Sequence, residues 1–191
     1  QPHVTALSLS RLGPKDSAGI IHGIALDKAL PDIIVEQILS RADGVPLFIE
    51  ELTRTLLESG LLHETADGYV LNAPLPPLAI PTTLQASLVA RLDLLGPARD
   101  VALIGAAIGR EFSHELVAEV SSLTPVDLDA ALARLMASGL ISRRGTPPEA
   151  SYLFKHALVQ DAAYVTMLKS RQRQLHASIA RTLVERFPTL I

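Results

Sequence analysis

The stretch Thr124–Phe154, TPVDLDAALARLMASGLISRRGTPPEASYLF, carries the strongest local signals in the chain. It opens on T-P-V-D, in which a threonine cap and a proline in the first turn predict a helix over residues 126–138. Gly139 ends that helix. Two short runs, Leu140–Arg144 and Ser151–Phe154, then flank the turn-rich GTPPEA, which predicts a β-hairpin.

The residues before this stretch predict three more short helices. The first follows Thr82 or Thr83 as a cap and has leucines at positions 84, 88, 92 and 95, before Gly-Pro ends it. Arg99–Ile108 is small and apolar, which indicates a buried helix, and Ser113 caps a helix that ends at Val120. Helices followed by a hairpin are the order of a winged helix, which we predict over residues 82–169.

The N-terminal third predicts a compact bundle of three helices. These are Pro14–Asp27, Pro31–Ala42 and a helix that begins at Pro46 and ends at Gly60. Before these helices, apolar and polar residues alternate over positions 4–12, which predicts a β-strand. A single strand is unstable, so this pattern indicates a sheet whose other strands lie outside this sequence. The alternative is an extended N-terminal arm. After the three helices, two short strands and the run NAPLPPLAIP predict a hairpin and a stiff linker over residues 61–81.

The C-terminal tail predicts two helices, His156–Leu168 and Arg171–Phe187. On the second, Leu175, Ile179 and Leu183 recur every four residues without an obvious partner in the sequence. This face is typical of the first helix of a helical repeat array, although one helix shows no repeat period. The fold class is therefore mainly α.

Composition excludes several classes of protein. The formal net charge is −3, whereas a mainly electrostatic nucleic-acid binder carries a strongly basic face. There is no cysteine, hence no disulfide framework and no thiolate metal site, which favours an intracellular protein. No secretory signal is visible, and the longest uncharged stretch, residues 68–90, contains four prolines. We expect a cytoplasmic protein without a membrane span.

No constellation for independent catalysis is visible. The glycines at 13 and 19 are followed by neither Gly-Lys nor Ser/Thr, so a phosphate-binding loop is absent. The six histidines show no metal-ligand spacing, and the adjacent Glu50 and Glu51 point about 100° apart on a helix. We therefore expect no catalytic residue and no metal ligand, and no ATP hydrolysis by this chain alone.

Sequence-specific DNA binding is a weaker alternative for a winged helix. The helix that would enter the groove offers Asp127 and Asp129, which repel phosphate, and only Arg134 as a reader of bases. Arg143 and Arg144 on the hairpin are the only clustered positive charge of that module.

Two segments resemble a known family. ADGVPLFIEELTRTLL, from Ala42, resembles the G-x-P region in the helical lid of STAND-type signalling ATPases. YLFKHALVQDAAY, from Tyr152, resembles the end of the winged helix in the ATPase region of bacterial adenylate cyclases, and RQRQLHASIARTLVERF resembles the helix that leads into their tetratricopeptide repeats. The resemblance covers nearly the whole chain.

The resemblance implies a nucleotide site. In that family the G-x-P proline packs on adenine, which places Pro46 there, with Gly44 allowing a close backbone approach. His156 resembles the histidine of the M-H-D motif, which reaches the β-phosphate of ADP; here it stands between Lys155 and Ala157, so methionine and aspartate are absent. The alternatives are a plain helix start at Pro46 and a structural histidine that caps its helix.

The resemblance also implies an organisation and a role. We expect the terminal strand of an ATPase core (1–12), a lid (13–60), a hairpin and linker (61–81), a winged helix (82–169) and the start of helical repeats (170–191). The chain is then the regulatory part of a nucleotide switch whose parent protein binds ADP or ATP with Mg²⁺ and carries an adenylate cyclase or similar output. Its partners are the ATPase core and the repeats; the other readings are a DNA-binding regulator and a nucleotide-independent protein scaffold.

Overall fold

The computed structural model describes residues 10–72 and 80–186. The chain divides into two compact units, Gln1–Ser87 and Leu88–Ile191, and each is described by itself. Across the described residues the protein is mainly helical, with two small antiparallel sheets. Of the predicted strand over residues 4–12, residues 4–9 lie outside the described residues and residues 10–12 are not in a strand. The proline-rich residues 73–79 and the tail 187–191 also lie outside the described residues.

The first unit consists of three helices and a short hairpin. They are α1 (Pro14–Ile24), α2 (Asp32–Ala42), α3 (Pro46–Glu58), β1 (Leu62–Glu64) and β2 (Tyr69–Leu71), and α4 (Leu84–Leu94) begins in this unit. The strands β1 and β2 pair antiparallel, with His63 opposite Val70. The three helices and the hairpin follow the sequence prediction closely.

The core of the first unit includes one apolar face of α3. α3 lies against both α1 and α2. Its buried cluster holds large aliphatic side chains and one aromatic ring: Ile21, Ile34, Ile38, Phe48, Ile49, Leu52, Leu56, Leu62 and Ile80. Glu50 and Arg54, four residues apart on α3, form an ion pair at 3.2 Å.

The end of α1 differs from the prediction. The sequence predicts a helix as far as Asp27, but α1 ends at Ile24. Leu26 and Asp27 have φ angles of 54° and 61°, in the left-handed region that cannot continue a right-handed helix. No glycine marks the turn, so the sequence carried no signal for it.

The second unit contains a three-stranded sheet among helices. After α4 come α5 (Ala98–Ile108), β3 (Glu111–Ser113), α6 (His114–Val120), α7 (Pro125–Ala137), β4 (Ile141–Arg144), β5 (Ser151–Phe154), α8 (Ala157–Val165) and α9 (Lys169–Arg186). The strands are antiparallel in the order β3-β5-β4. Phe112 of β3 lies opposite Tyr152 of β5, which in turn lies opposite Arg143 of β4.

The predicted helix starts and the hairpin in this unit are confirmed. The Oγ of Ser113 accepts a hydrogen bond from the Leu116 amide at 3.2 Å, and the Oγ1 of Thr124 accepts one from the Asp127 amide at 3.3 Å. Thr83 caps α4 in the same way, at 3.1 Å from the Ala86 amide. α7 contacts β4, the first strand of the hairpin.

The second helix of the tail has a partner, contrary to the expectation from sequence. α9 packs against α5 and α6, and its Leu175 and Ile179 are buried there. No local pattern could indicate this contact, because α5 and α6 end at residues 108 and 120 whereas α9 begins at residue 169. The four-residue period of α9 thus describes a core face of this unit.

No helix among residues 10–72 and 80–186 is both long and apolar enough to cross a membrane.

Candidate functional site

The Asp43–Pro46 turn, predicted to approach a nucleotide, is approached by the chain itself. Gly44 has a φ of 70°, and its carbonyl oxygen accepts a hydrogen bond from the Leu12 amide at 2.9 Å. A Cβ atom built on Gly44 would overlap the carbonyl oxygen of Leu12. Arg11 also forms an ion pair with Asp43. The close backbone approach at Gly44 is therefore made by residues 11–12.

Pro46 remains available to a ligand. It is the first residue of α3, a position that tolerates proline because that amide has no intrahelical acceptor, and it is exposed. Val45 beside it is 37% exposed. The two side chains form a small apolar surface at the start of α3, on the first unit.

His156 precedes α8 in the second unit. It occupies the N-cap position in an extended conformation, and its carbonyl oxygen accepts the Val159 amide at 3.0 Å. Its half-buried side chain makes no capping hydrogen bond, so His156 caps α8 through its backbone and not through its imidazole. Lys155 before it is exposed.

Pro46 and His156 lie in different units. Their roles in nucleotide binding, together with that of Gly44, therefore stay predictions. Among the described residues, no group of three or more histidine, aspartate or glutamate side chains is placed to hold a metal ion.

A part-buried pair of polar side chains joins β5 of the hairpin to the start of α6, and the sequence did not predict it. The ring of Tyr152 stacks on Phe112 at 5.6 Å, and its hydroxyl lies 3.2 Å from Nδ1 of His114. Burial raises the pKa of Tyr152, which the nearby Arg143 lowers in part and Asp129 raises. His114 and Tyr152 stand 38 residues apart, so no spacing rule could have joined them.

We expect Tyr152→Phe to lower the free energy of unfolding of this unit by about 1 kcal/mol, because it leaves the rings stacked and removes one part-buried hydrogen bond. Chemical denaturation followed by circular dichroism measures the change. Tyr164→Phe, which removes an exposed hydrogen bond to His176, is the matched control and should cost less. Equal losses in the two variants would show that burial of the Tyr152 hydroxyl is unimportant.

The charges of α7 and the hairpin bear on the DNA alternative. Asp127 and Asp129 are exposed on α7, as predicted. Arg134, the single predicted base reader, donates from Nη2 to the Leu94 carbonyl at 3.1 Å. Only Arg143 and Arg144 present positive charge from the hairpin, so the surface of α7 and β4 offers little to a phosphate backbone.

No family model matches the chain. The chain is similar to an uncharacterized protein of Rhizobium meliloti (strain 1021), with 30% identity over 161 residues. The match covers 81% of this chain but 14% of the relative, so the chain spans about a seventh of the length of the protein it matches. The aligned 161 residues are too many to fall within one unit, so the similarity includes parts of both. The description of the relative names no activity.

Proposed function

We propose that this chain is the lid and winged-helix part of a nucleotide-switch signalling ATPase of the STAND type. In this proposal α1–α3 form the lid, and residues 82–169, which include α5–β5, form the winged helix. A separate ATPase core in the same cytoplasmic protein supplies the phosphate loop and Mg²⁺, and the output is an adenylate cyclase or similar domain. Nucleotide state shifts the balance between a closed and an open arrangement of these parts.

The sheet of the second unit supports the winged-helix part of the proposal. A winged helix places a short strand between its first and second helices, and that strand joins the hairpin as a third strand. The chain has this order, with β3 between α5 and α6 and paired to β5 of the hairpin. The match of helices and strands in order is the observation that carries the proposal.

The surroundings of His156 support the nucleotide part. The first amides of a helix attract anions, and an imidazole at the N-cap can add a hydrogen bond to phosphate. The first turn of α8 has no acidic residue to repel an anion, and Lys155 is exposed next to the histidine. In the proposal, Pro46 contacts the adenine ring and His156 the phosphates of the nucleotide that the ATPase core binds.

Substitution of these residues in the protein that includes the ATPase core tests the proposal. We expect His156→Ala to weaken ADP binding by about 1–3 kcal/mol, the usual cost of losing a hydrogen bond to a charged group. Pro46→Ala should weaken it less, because only apolar contact is lost. Titration calorimetry with ADP measures both effects.

Two control variants distinguish the loss of a ligand contact from a general loss of stability. His63→Ala removes an exposed histidine of the first unit, and Pro125→Ala removes the proline that opens α7 as Pro46 opens α3. Neither should change ADP affinity. If His156→Ala and Pro46→Ala also leave ADP affinity unchanged in a folded protein, both residues are ordinary helix starts and the nucleotide role is wrong.

A further inference from the structure

The segment that leads into α1 is attached to the turn between α2 and α3. The amide of Leu12 donates to the Gly44 carbonyl at 2.9 Å. Arg11 donates to the Asp43 carbonyl at 3.4 Å and forms an ion pair with the Asp43 carboxylate. The Leu12 side chain is half-buried against the apolar core of the first unit. We call these two residues, Arg11 and Leu12, the N-terminal latch.

The turn has a backbone shape that admits the latch. Asp43 and Gly44 have φ angles of 46° and 70°, so two consecutive residues are left-handed. A Cβ atom on Gly44 would overlap the Leu12 carbonyl oxygen and would lie 3.1 Å from the Arg11 Cβ. The two backbone segments therefore fit together at a distance that a side chain at position 44 would prevent.

The same turn presents Pro46. Val45 alone separates Gly44, the acceptor of the latch hydrogen bond, from Pro46, the first residue of α3. The Val45 amide in turn bonds to the Ala42 carbonyl at 2.9 Å, so the turn is compact. A displacement of the Gly44 carbonyl consequently acts on the position of Pro46.

The contacts of the latch are few enough for it to open without unfolding of the helices. The side chains of Arg11 and Asp43 are 65% and 72% exposed, so their ion pair contributes little. The other contacts are one backbone hydrogen bond, a second bond from an exposed arginine and one half-buried leucine. Segments held in this way open locally, and a minor state of this kind holds roughly 0.1–10% of the molecules.

We propose that the N-terminal latch couples the chain that precedes α1 to nucleotide binding at Pro46, an inference that rests on the proposed function. With the latch closed, the turn holds Pro46 in place for the adenine ring. With the latch open, the turn is free to move and nucleotide affinity falls. A movement of the upstream ATPase core that draws Arg11 and Leu12 away from Gly44 therefore releases the nucleotide. Both latch residues are positioning residues, because they act through the turn and do not touch the ligand.

Hydrogen exchange of the 191-residue chain, followed by NMR, tests whether the latch opens separately from the helices. We expect the Leu12 amide to be protected but to exchange faster than the central amides of α3. Arg11→Gln and Asp43→Asn should each speed this exchange by up to about fivefold, and the double variant no further, since both changes remove one ion pair. Arg54→Gln, which breaks the ion pair with Glu50 on α3, is the matched control and should leave Leu12 unchanged. Exchange of Leu12 only through global unfolding would overturn the proposal.

The coupling to nucleotide is tested in the protein that includes the ATPase core. Leu12→Pro removes the amide that donates to Gly44 and should raise the dissociation constant of ADP about three- to tenfold, because the binding-competent fraction falls. Coupling between two sites is reciprocal, so saturating ADP should slow exchange of the Leu12 amide in the unaltered protein by the same factor. Titration calorimetry and hydrogen exchange with mass spectrometry measure the two effects. A purely structural role of Leu12 would not produce the second one.

The outcomes distinguish the latch from the proposed function. If His156→Ala weakens ADP binding but ADP leaves Leu12 exchange unchanged, the latch is overturned and the proposed function stands. If ADP affinity is the same in His156→Ala, Pro46→Ala and Leu12→Pro, both are overturned. The exchange measurement with ADP uses the unaltered protein, so it decides the question even where Leu12→Pro does not fold.

Discussion

Phe154→Ala should lower the free energy of unfolding of the second unit by about 3–5 kcal/mol. The Phe154 side chain is fully buried, and its ring lies 5.6 Å from that of Phe112. Truncation leaves a cavity at the end of the hairpin, where β5 pairs with Ile141 of β4. A loss of this size is a large part of the stability of a domain of about 100 residues and should lower its Tm by roughly 15 °C or more.

The neighbouring residue provides the control. Leu153 is on the same strand, points to the opposite face and is 37% exposed, so Leu153→Ala should cost less than about 1 kcal/mol. Thermal and urea unfolding of both variants measure the difference. Similar losses would mean that the hairpin is not anchored through its inner face, which would remove a support of the winged-helix proposal.

Local signals account for the parts of the fold that the sequence predicted. The cap at Thr124, the glycine at 139 and the Pro-Pro turn of the hairpin each act over a few residues, so they can be read without knowing the tertiary structure. The apolar face of α3 likewise follows from local spacing, because a helix repeats every 3.6 residues.

Features that depend on distant contacts could not be predicted in this way. The strand β3 has three residues, too few to show alternation, and it exists because β5 pairs with it. Arg91 is 1% exposed, although arginine is rarely buried, and it donates from Nη2 to the Ser138 carbonyl 47 residues later. The packing of α9 on α5 and α6 is a long-range contact of the same kind.

The candidate site also has features that local sequence predicts and a feature that depends on a distant contact. The positions of Pro46 and His156 at helix starts follow from local pattern, and the structure places both there. A bond to Leu12 occupies the space beside Gly44, which no local pattern could indicate because the two residues are 32 apart. The sequence indicates what the two helix starts bind only through the resemblance to STAND-type ATPases, so a nucleotide ligand stays a prediction.

The role of Gly44 can be isolated by comparison with a second glycine. Gly44 and Gly60 have nearly the same φ angles, 70° and 75°. An alanine in this left-handed backbone conformation therefore costs a similar free energy at either position, about 1–2 kcal/mol. The surroundings differ. A Cβ at Gly60 meets nothing within 4 Å, whereas a Cβ at Gly44 overlaps the Leu12 backbone.

Gly44→Ala should therefore cost about 2–4 kcal/mol of unfolding free energy and Gly60→Ala only the backbone penalty, about 1–2 kcal/mol. The extra loss is limited because residues 11–12 can leave the turn, giving up the Leu12 hydrogen bond and an exposed ion pair that contributes little. Hydrogen exchange reports that release directly. The Leu12 amide should lose its protection in Gly44→Ala and keep it in Gly60→Ala.

If both variants lose the same stability and the Leu12 amide stays protected in both, the Leu12 contact does not require a glycine at position 44. A ligand that approaches the backbone at Gly44 would then explain the glycine better than the Leu12 contact does.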